Sequence, residues 1–275
     1  MILAFDTPYR PLTSRPFLHD STYAEYLPRE ALRPYVSCIW TSDGGENGEP
    51  ETVRVIPDTC LDIIIEINHT RQRINSRLCG LQDRTFMVEQ GRAGDRVTSV
   101  AARFYFWSAR LFLDVSLGDT GNRVMELEEA LPGCNREFEP LFYRRSDRER
   151  VSWLEGYLLE KLNTDRYNPN LYNSIDYILR TRGNATVRDI CAGGCLSQRQ
   201  MERLFQQNMG LPIKRIASLV RYQSVWSEIV RRDQFEIMDA VLRYGYADQA
   251  HLLNDFRRFH GIWPEQARQA ALARR

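Results

Sequence analysis

Two stretches of the sequence place hydrogen-bonding side chains directly behind a helix-start signal. In "LSQRQMER", Ser197 is a residue type that caps helix N-termini, and Gln198, Arg199, Gln200 and Arg203 follow it. Arginine can bond both acceptors on the major-groove edge of guanine, and glutamine can do the same on adenine. This residue set therefore has the chemistry needed to distinguish bases in a DNA groove.

The second stretch is "YGYADQAHLLNDFRRFHG", residues 244–261. Gly245 can adopt the positive φ of a sharp helix ending, and Asp248 can cap the next helix. Leu252 and Phe256, four residues apart, are predicted to be buried on one face. Gln249, His251 and Asn254 then lie on other faces of the helix. An ordinary surface helix would show the same features, and a capping or packing role for His251 is equally compatible.

A long apolar pattern separates the two stretches. "PIKRIASLVRYQSVWSEIVRRD" repeats apolar residues at helical spacing, and Pro212 suits its first turn. About 20 residues make a rod of roughly 30 Å. Successive major grooves on one side of B-DNA lie roughly 34 Å apart. The pattern predicts a rigid helix that holds two helix pairs at adjacent grooves: a first unit at Thr186–Gly210 and a second unit around Tyr244–Gly261.

Residues 171–268 resemble the DNA-binding domain of AraC/XylS-type transcription regulators. That domain carries two helix-turn-helix units joined by a long helix, and "LSQRQMERLFQQNMGLPIKRI" resembles the first unit. The second unit carries the family signature at these positions: Gly245, Tyr246, Asp248, Gln249, His251, Phe256, Arg257, Phe259, Gly261, Pro264 and Arg268.

The resemblance implies roles for individual residues. Gln198, Arg199, Gln200 and Arg203 would read one groove, and Gln249, Ala250, His251 and Asn254 would face the next. Arg257 and Arg258 would contact phosphates or pair within the domain. The sequence departs from the family pattern at Cys195, Val241 and Asn254, which makes the base contacts of the second unit less well defined.

Charge is divided unevenly along the chain. Residues 168–275 contain 16 Lys and Arg against 10 Asp and Glu, a net charge of +6, and residues 1–167 contain 21 against 26, a net charge of −5. This division predicts that only the C-terminal half meets a polyanion. Chance unevenness is the alternative.

The N-terminal half is predicted to be rich in strands. "VSCIWTS", "TVRVIPD", "LDIIIEI" and "VTSVAARFYFW" are dense in β-branched and aromatic residues and alternate with turn material. Repeated short strands with polar turns indicate an antiparallel barrel or a sandwich. We therefore expect an α+β chain of two domains, residues 1–167 and residues 168–275. Residues 26–165 also resemble a sensory region that precedes this DNA-binding domain in one family subgroup. That resemblance implies a cupin-like β-barrel with flanking helices that binds a small molecule or a second copy.

One helical stripe in this half has two interpretations. "DRERVSWLEGYLLEKLN" places Val151, Leu154, Leu158 and Leu162 on one face. The stripe packs either on the barrel or on a second copy of itself, and the spacing alone does not separate the two.

Catalytic and metal-site patterns are missing from the N-terminal half. A metal cupin needs several converging His and a carboxylate, whereas His19 and His69 are the only histidines here. No phosphate loop and no Gly-x-Ser-x-Gly elbow occurs. We expect no enzyme activity, metal or cofactor. A thiol alkyltransferase using Cys38, Cys60 or Cys79 is the enzymatic alternative.

Aromatic residues on the predicted strands are candidates for a ligand pocket. They are Trp40, Phe104, Phe106 and Trp107. Barrel core is the competing assignment, since aromatic side chains on strands commonly pack inside.

The partners expected from these features are double-stranded DNA, a small-molecule effector, RNA polymerase and a second copy of the chain. Control by a protein partner without a small ligand is the alternative. No run of about 18 apolar residues and no leader pattern occurs, so the expected location is the cytoplasm, without membrane association.

Overall fold

The structure is a computed structural model that describes residues 5, 7–18, 22–44, 51–90 and 94–273. His19, considered above as a metal ligand, lies outside these residues.

The N-terminal half contains two antiparallel sheets. Their strands are β1 (Tyr23–Tyr26), β2 (Val36–Gly44), β3 (Glu51–Val55), β4 (Cys60–Asn68), β5 (Arg73–Cys79), β6 (Phe86–Gln90), β7 (Val97–Tyr105) and β8 (Val124–Glu126). Six of them form one sheet in the order β1-β2-β7-β4-β5-β8, and β3 pairs with β6. The four strand-like runs of the sequence correspond to β2, β3, β4 and β7.

Alternation along the strands explains which face of the large sheet is buried. On β4, Ile63, Ile65 and Ile67 are buried, whereas Asp62 and Glu66 on the opposite face are partly exposed. Within the described residues, the end strands β1 and β8 do not pair with each other and the two sheets share no strand ladder. The α+β organisation is confirmed, but strand pairing does not close the sheets into a cupin-like barrel.

Among the described residues, ten α-helices follow β7, the last long strand. They are α1 (Leu127–Ala130), α2 (Cys134–Glu137), α3 (Asp147–Lys161), α4 (Pro169–Arg180), α5 (Val187–Ala192), α6 (Gln198–Met209), α7 (Ile213–Arg231), α8 (Ile237–Arg243), α9 (Gln249–His260) and α10 (Pro264–Leu272). Short 3-10 helices lie at Glu30–Leu32, Ala109–Leu111, Glu139–Tyr143 and Thr164–Arg166.

Helix α3 packs on the large sheet. Its stripe residues Val151, Leu154 and Leu158 are 7%, 1% and 1% exposed, and the helix contacts β2 and β7. The stripe is therefore part of the intramolecular core. Of the two interpretations left open by the sequence, packing on a second copy is wrong.

The candidate pocket aromatics lie in packed surroundings. Phe104 and Phe106 are fully buried, Trp107 is 5% exposed, and its ring stacks on Tyr105 with centroids 4.5 Å apart. Trp40 is partly buried beside Tyr23. Phe104, Phe106 and Trp107 lie in the core, as the competing assignment expects, and a pocket role for the four aromatics stays a prediction.

The two halves of the chain share one hydrophobic core. Gln223 of α7 is 2% exposed, and its side chain accepts from Leu12 N–H (2.8 Å) and donates to the carbonyls of Leu12 (3.1 Å) and Pro57 (2.6 Å). Trp226 Nε1 donates to Thr13 O at 3.0 Å. The segment around residues 12–14 thus ties α7 to the N-terminal half.

A second junction joins the sheet region to the end of α6. Leu117 N–H donates to Gln207 O (3.0 Å), and a Cβ on Gly121 would collide with Gly210 O. Arg215 of α7 pairs with Asp83 at 2.8 Å. Helix α4 begins at Pro169 behind the N-cap Asn168, so we retain the boundary at residue 168 as a division of sequence, not as a flexible joint.

Candidate nucleic-acid interface

The first unit turns sharply between α5 and α6. A Cβ on Gly194 would meet the flexible end of the Met201 side chain and lie 3.0 Å from Asn170 O, so Gly194 packs closely in this turn. Cys195 follows with φ +50°, a left-handed conformation that is unusual for a residue with a side chain. This conformation explains why a small turn residue is expected where this chain has Cys195.

Helix α6 begins with a reciprocal cap. Ser197 Oγ accepts from Gln200 N–H at 3.3 Å, and Gln200 Oε1 accepts from Ser197 N–H at 3.0 Å. The predicted N-cap is confirmed. The Gln200 side-chain oxygen is engaged in the cap, and a bidentate contact to adenine would require that oxygen.

The remaining predicted residues of α6 face outward. Gln198, Arg199 and Arg203 are exposed, whereas Met201 and Phe205 are fully buried. Arg199 and Arg203 lie one turn apart on the same face. Neither forms an ion pair within the part of the chain that the structure describes, and both side chains are exposed.

The second unit turns at Gly245, which has φ +65° and packs against the Asn184 side chain. Asp248 then caps α9, because its Oδ1 accepts from His251 N–H at 2.7 Å. Both features are as predicted from the sequence.

Helix α9 exposes its predicted residues as well. Gln249, Ala250, His251 and Asn254 are exposed, and Leu252 is fully buried. His251 Nδ1 accepts from Ala247 N–H at 3.3 Å. This contact holds the imidazole against the turn, which is the capping role that the sequence left open, and leaves Nε2 for any external contact.

Arg257 and Arg258 are engaged within the domain. Arg258 Nη2 lies 2.7 Å from Asp255 Oδ1, and the Arg257 guanidinium lies 4.7 Å from the centre of the Trp263 ring. Of the two roles implied by the resemblance, the geometry supports intradomain pairing. A phosphate contact would need the Arg258 pair to open.

Helix α7 is buried around most of its circumference. Twelve of its 19 residues are buried, and the others recur at nearly every third position: Lys214, Arg215, Ser218, Arg221, Ser224, Ser227 and Arg231. At 1.5 Å per residue it is about 28 Å long. Its packing against both halves makes it a rigid spacer between the two units.

His260 has a structural role that sequence reasoning missed. Its side chain is 1% exposed, stacks on Phe256 with centroids 4.9 Å apart, and its Nδ1 lies 2.9 Å from Tyr222 Oη. Burial, with a contribution from Arg54, lowers the pKa of His260 to about 3. Its spacing of four residues from Phe256 is the sequence feature that could have identified it.

Acid should therefore destabilise the second unit. The pKa of His260 is about 3 when folded and 6.5 when unfolded, so the unfolded chain binds the extra proton in between. Its contribution to stability is complete above pH 6.5 and is lost as the pH falls. From pH 7 to pH 5 we expect the contribution of His260 to the free energy of unfolding to fall by about 2 kcal/mol, measured by urea denaturation as the difference between wild type and His260→Phe.

His260→Phe provides the control for this pH effect. Burial raises the pKa of Asp58, so this residue increases the free energy of unfolding as the pH falls over the same range. That increase is the same in wild type and His260→Phe, and it cancels when the two proteins are compared. Equal pH slopes for wild type and His260→Phe would show that His260 is not the titrating group.

Three other kinds of site can be assessed among the described residues: a membrane span, a metal site and a reactive thiol. None of their helices is long and apolar enough to cross a membrane, and no three His, Cys, Asp or Glu side chains among them gather as metal ligands. Burial raises the pKa of Cys38 and Cys79 to about 12 and that of Cys60 well above its usual value. These thiols are held protonated.

Comparison with known proteins matches two parts of the chain. A family model described as a helix-turn-helix domain matches residues 190–270, and a domain of unknown function (DUF6597) matches residues 24–126. No curated protein matches the chain.

Similar solved structures include an AraC-type DNA-binding domain-containing transcriptional regulator from Chromobacterium violaceum (23% identity, 38% of this chain and 94% of that chain, TM-score 0.34). ToxT from Vibrio cholerae is also similar (10% identity, 81% and 98%, TM-score 0.42). So is ToxT from the same species with a bound unsaturated fatty acid (11% identity, 92% and 97%, TM-score 0.43).

The matched residues 190–270 include both capped helix pairs and the helix between them. Residues 190–270 of this chain are therefore similar to a helix-turn-helix domain.

Proposed function

We propose that the protein is a sequence-specific transcription regulator that places α6 and α9 in two successive major grooves of double-stranded DNA. One observation carries this proposal: both helices present capped, exposed first turns, and the buried helix α7 fixes the distance between them. A recognition helix contacts bases with its N-terminal residues.

Charge supports the same assignment. The C-terminal half has the net charge of +6, and Arg199 and Arg203 are exposed without an ion pair among the described residues. Both can reach the same groove because they lie one turn apart. Phosphate neutralisation by the other basic residues should make binding fall steeply with salt.

The N-terminal half is proposed to control this binding. It contacts α7 through Gln223 and Trp226 and the end of α6 through Leu117, so a change there reaches the helix that spaces the two units. A small-molecule effector is the proposed input, and RNA polymerase and a second copy are proposed partners. The alkyltransferase alternative needs a thiolate nucleophile, whereas burial holds the thiols of Cys38, Cys60 and Cys79 protonated.

Selection of bound fragments from the host genome tests the proposal. The full chain should enrich a small set of promoter fragments, and gel-shift titration should give an affinity that falls with salt. Arg199→Ala/Arg203→Ala should lose the enrichment, and Arg180→Ala, which removes an exposed arginine of α4, should keep it. Failure to enrich any promoter fragment, or an affinity that does not change with salt, would contradict the proposal.

The first unit is expected to supply most of the base discrimination. Arg203→Ala should cost about 1 to 3 kcal/mol of binding free energy and relax base preference in one part of the operator, since bidentate arginine contacts discriminate by that amount. His251→Ala should cost less, because its Nδ1 is engaged with Ala247 N–H. Competition binding against an operator library measures both. A larger loss for His251→Ala would make the second unit the principal reader.

A further inference from the structure

Helices α6 and α9 both end in a left-handed glycine that contacts the N-terminal half of the chain. Gly210 follows α6 with φ +75°, and Gly261 follows α9 with φ +83°. A recognition helix contacts bases with the residues of its N-terminal end. The N-terminal half of the chain therefore touches each helix at the end remote from its exposed first turn.

The end of α6 is held by the segment 117–121. Leu117 N–H donates to Gln207 O at 3.0 Å. Carbonyls in the last turn of a helix have no partner within that helix, so Leu117 supplies one of the missing donors. A Cβ on Gly210 would lie 2.6 Å from Leu117 O, and a Cβ on Gly121 would collide with Gly210 O. The backbones of the segment and of the cap are thus in direct contact.

The end of α9 is held by the two-stranded sheet. Arg54 lies on β3, and Thr85 precedes β6 and donates to Val55 O at 2.9 Å. A Cβ on Gly261 would lie 2.6 Å from Arg54 Nη1 and 2.7 Å from Thr85 Cγ2, so both side chains reach the cap. After burial, the charge of Arg54 is the second cause that lowers the pKa of His260, the last residue of α9. The helix dipole favours a cation at this end.

A contact at the cap has leverage over the first turn of its helix. Both helices have 12 residues and are about 18 Å long. A tilt of about 10° at the cap therefore moves the first turn by about 3 Å, which is close to the rise of one base pair. Helix α7 separates the two units along its own axis. The contacts at the caps restrict the tilt of α6 and α9 relative to that axis.

We propose that the segment 117–121 and the pair Arg54 and Thr85 are positioning residues, which fix the separation of the first turns of α6 and α9 and thereby select the spacing of two DNA half-sites. The inference rests on the proposed function for its DNA part only. The separation of the two turns is a property of the free chain and is measured without DNA.

The addition of one methyl group tests the contact at α6. Gly121→Ala places that group against Gly210 O, so the end of the helix must shift. Gly118→Ala is the matched control in the same segment, because its Cβ would lie 3.4 Å from Ser116 Oγ, an ordinary contact distance. Neither replacement changes a side chain of α6.

Truncation of one arginine tests the contact at α9. Arg54→Ala removes the guanidinium group from the end of the helix. Arg84→Ala, next to Thr85 in the chain, removes an exposed arginine and serves as the control. Neither replacement changes a side chain of α9.

Double electron–electron resonance measures the separation of the two helices without DNA. Spin labels are attached to cysteines introduced by Arg203→Cys on α6 and Asn254→Cys on α9. Cys79→Ser and Cys195→Gly remove the two native cysteines that are not buried. This labelled parent chain should give one narrow distance distribution.

The variants at the caps should change that distribution. Gly121→Ala and Arg54→Ala should each shift or broaden it by about 3 Å, the displacement expected for a tilt of about 10°. Gly118→Ala and Arg84→Ala should reproduce the distribution of the parent chain.

Half-site spacing gives a readout that a loss of stability alone would not change. The unlabelled full chain is titrated with a fragment selected from the host genome and with the same fragment lengthened by one base pair between its half-sites. Wild type should bind the lengthened fragment at least about tenfold more weakly, because one half-site is then out of register. Gly121→Ala and Arg54→Ala should reduce that ratio at least about threefold. A merely destabilised chain would keep the ratio.

Each outcome has a separate meaning. Parent-like distance distributions in both Gly121→Ala and Arg54→Ala would overturn the positioning role, and an unchanged spacing ratio would overturn the selection of half-site spacing. If one of these variants does not fold, as judged by circular dichroism, the other decides alone. Changed distances in a chain that binds no fragment would support the positioning role and contradict the proposed function.

Discussion

Trp226→Ala is expected to lower the free energy of unfolding by about 3 to 5 kcal/mol, the usual cost of removing a large buried aromatic side chain. Trp226 is fully buried, contacts Phe256 and His260 of the second unit, and donates to Thr13 O. Its loss therefore weakens the C-terminal core and the junction between the halves together. Urea denaturation followed by far-UV circular dichroism measures the change.

Two controls accompany this variant. Trp263→Ala removes the same side chain from a site where it is 37% exposed, and it should cost much less. Trp226→Phe keeps most of the packing and loses the hydrogen bond to Thr13 O. Loss of that bond should lower the free energy of unfolding by about 0.5 to 1.5 kcal/mol, in addition to the cost of the smaller side chain. Similar losses for Trp226→Ala and Trp263→Ala would mean that Trp226 is not in a shared core.

Leu154→Ala is expected to lower the free energy of unfolding by about 2 to 5 kcal/mol without changing the state of association. Leu154 is 1% exposed between α3 and the sheet. If the stripe were instead an interface between copies, the variant would shift the sedimentation coefficient at unchanged stability. Denaturation and sedimentation on the same sample separate the two outcomes.

Leu159→Ala is the matched control for this prediction. It makes the same replacement on the same helix at a residue that is 36% exposed. It should cost less than about 1 kcal/mol, as most surface replacements do. A cost equal to that of Leu154→Ala would contradict the assignment of the buried face of α3.

Local chemistry explains why the helix-turn-helix features could be predicted from sequence. A helix cap or a positive φ depends on a few consecutive residues. The roles of Ser197, Gly245 and Asp248 can therefore be identified from the local sequence. The exposed faces of α6 and α9 follow from the spacing of Phe205, Leu252 and their neighbours.

Contacts between distant segments could not be predicted in this way. Gln223 bonds Leu12 across 211 positions, and no pattern near either residue indicates the other. The stripe of α3 identified a buried face without identifying what covers it. Phe104 and Trp107 were recognised as apolar strand residues, but whether such residues pack in a core or line a pocket depends on neighbours remote in sequence.

The burial of α7 limits how this chain can be recombined with others. A chimera that grafts residues 168–275 onto another N-terminal domain would leave Gln223 and Trp226 without the backbone partners that residues 12, 13 and 57 supply. One residue inserted into α7 would turn its later part by about 100° and swing its polar stripe into the core. The spacing of α6 and α9 is consequently inherited together with the N-terminal half, and neither the spacing nor that half can be altered as an independent module.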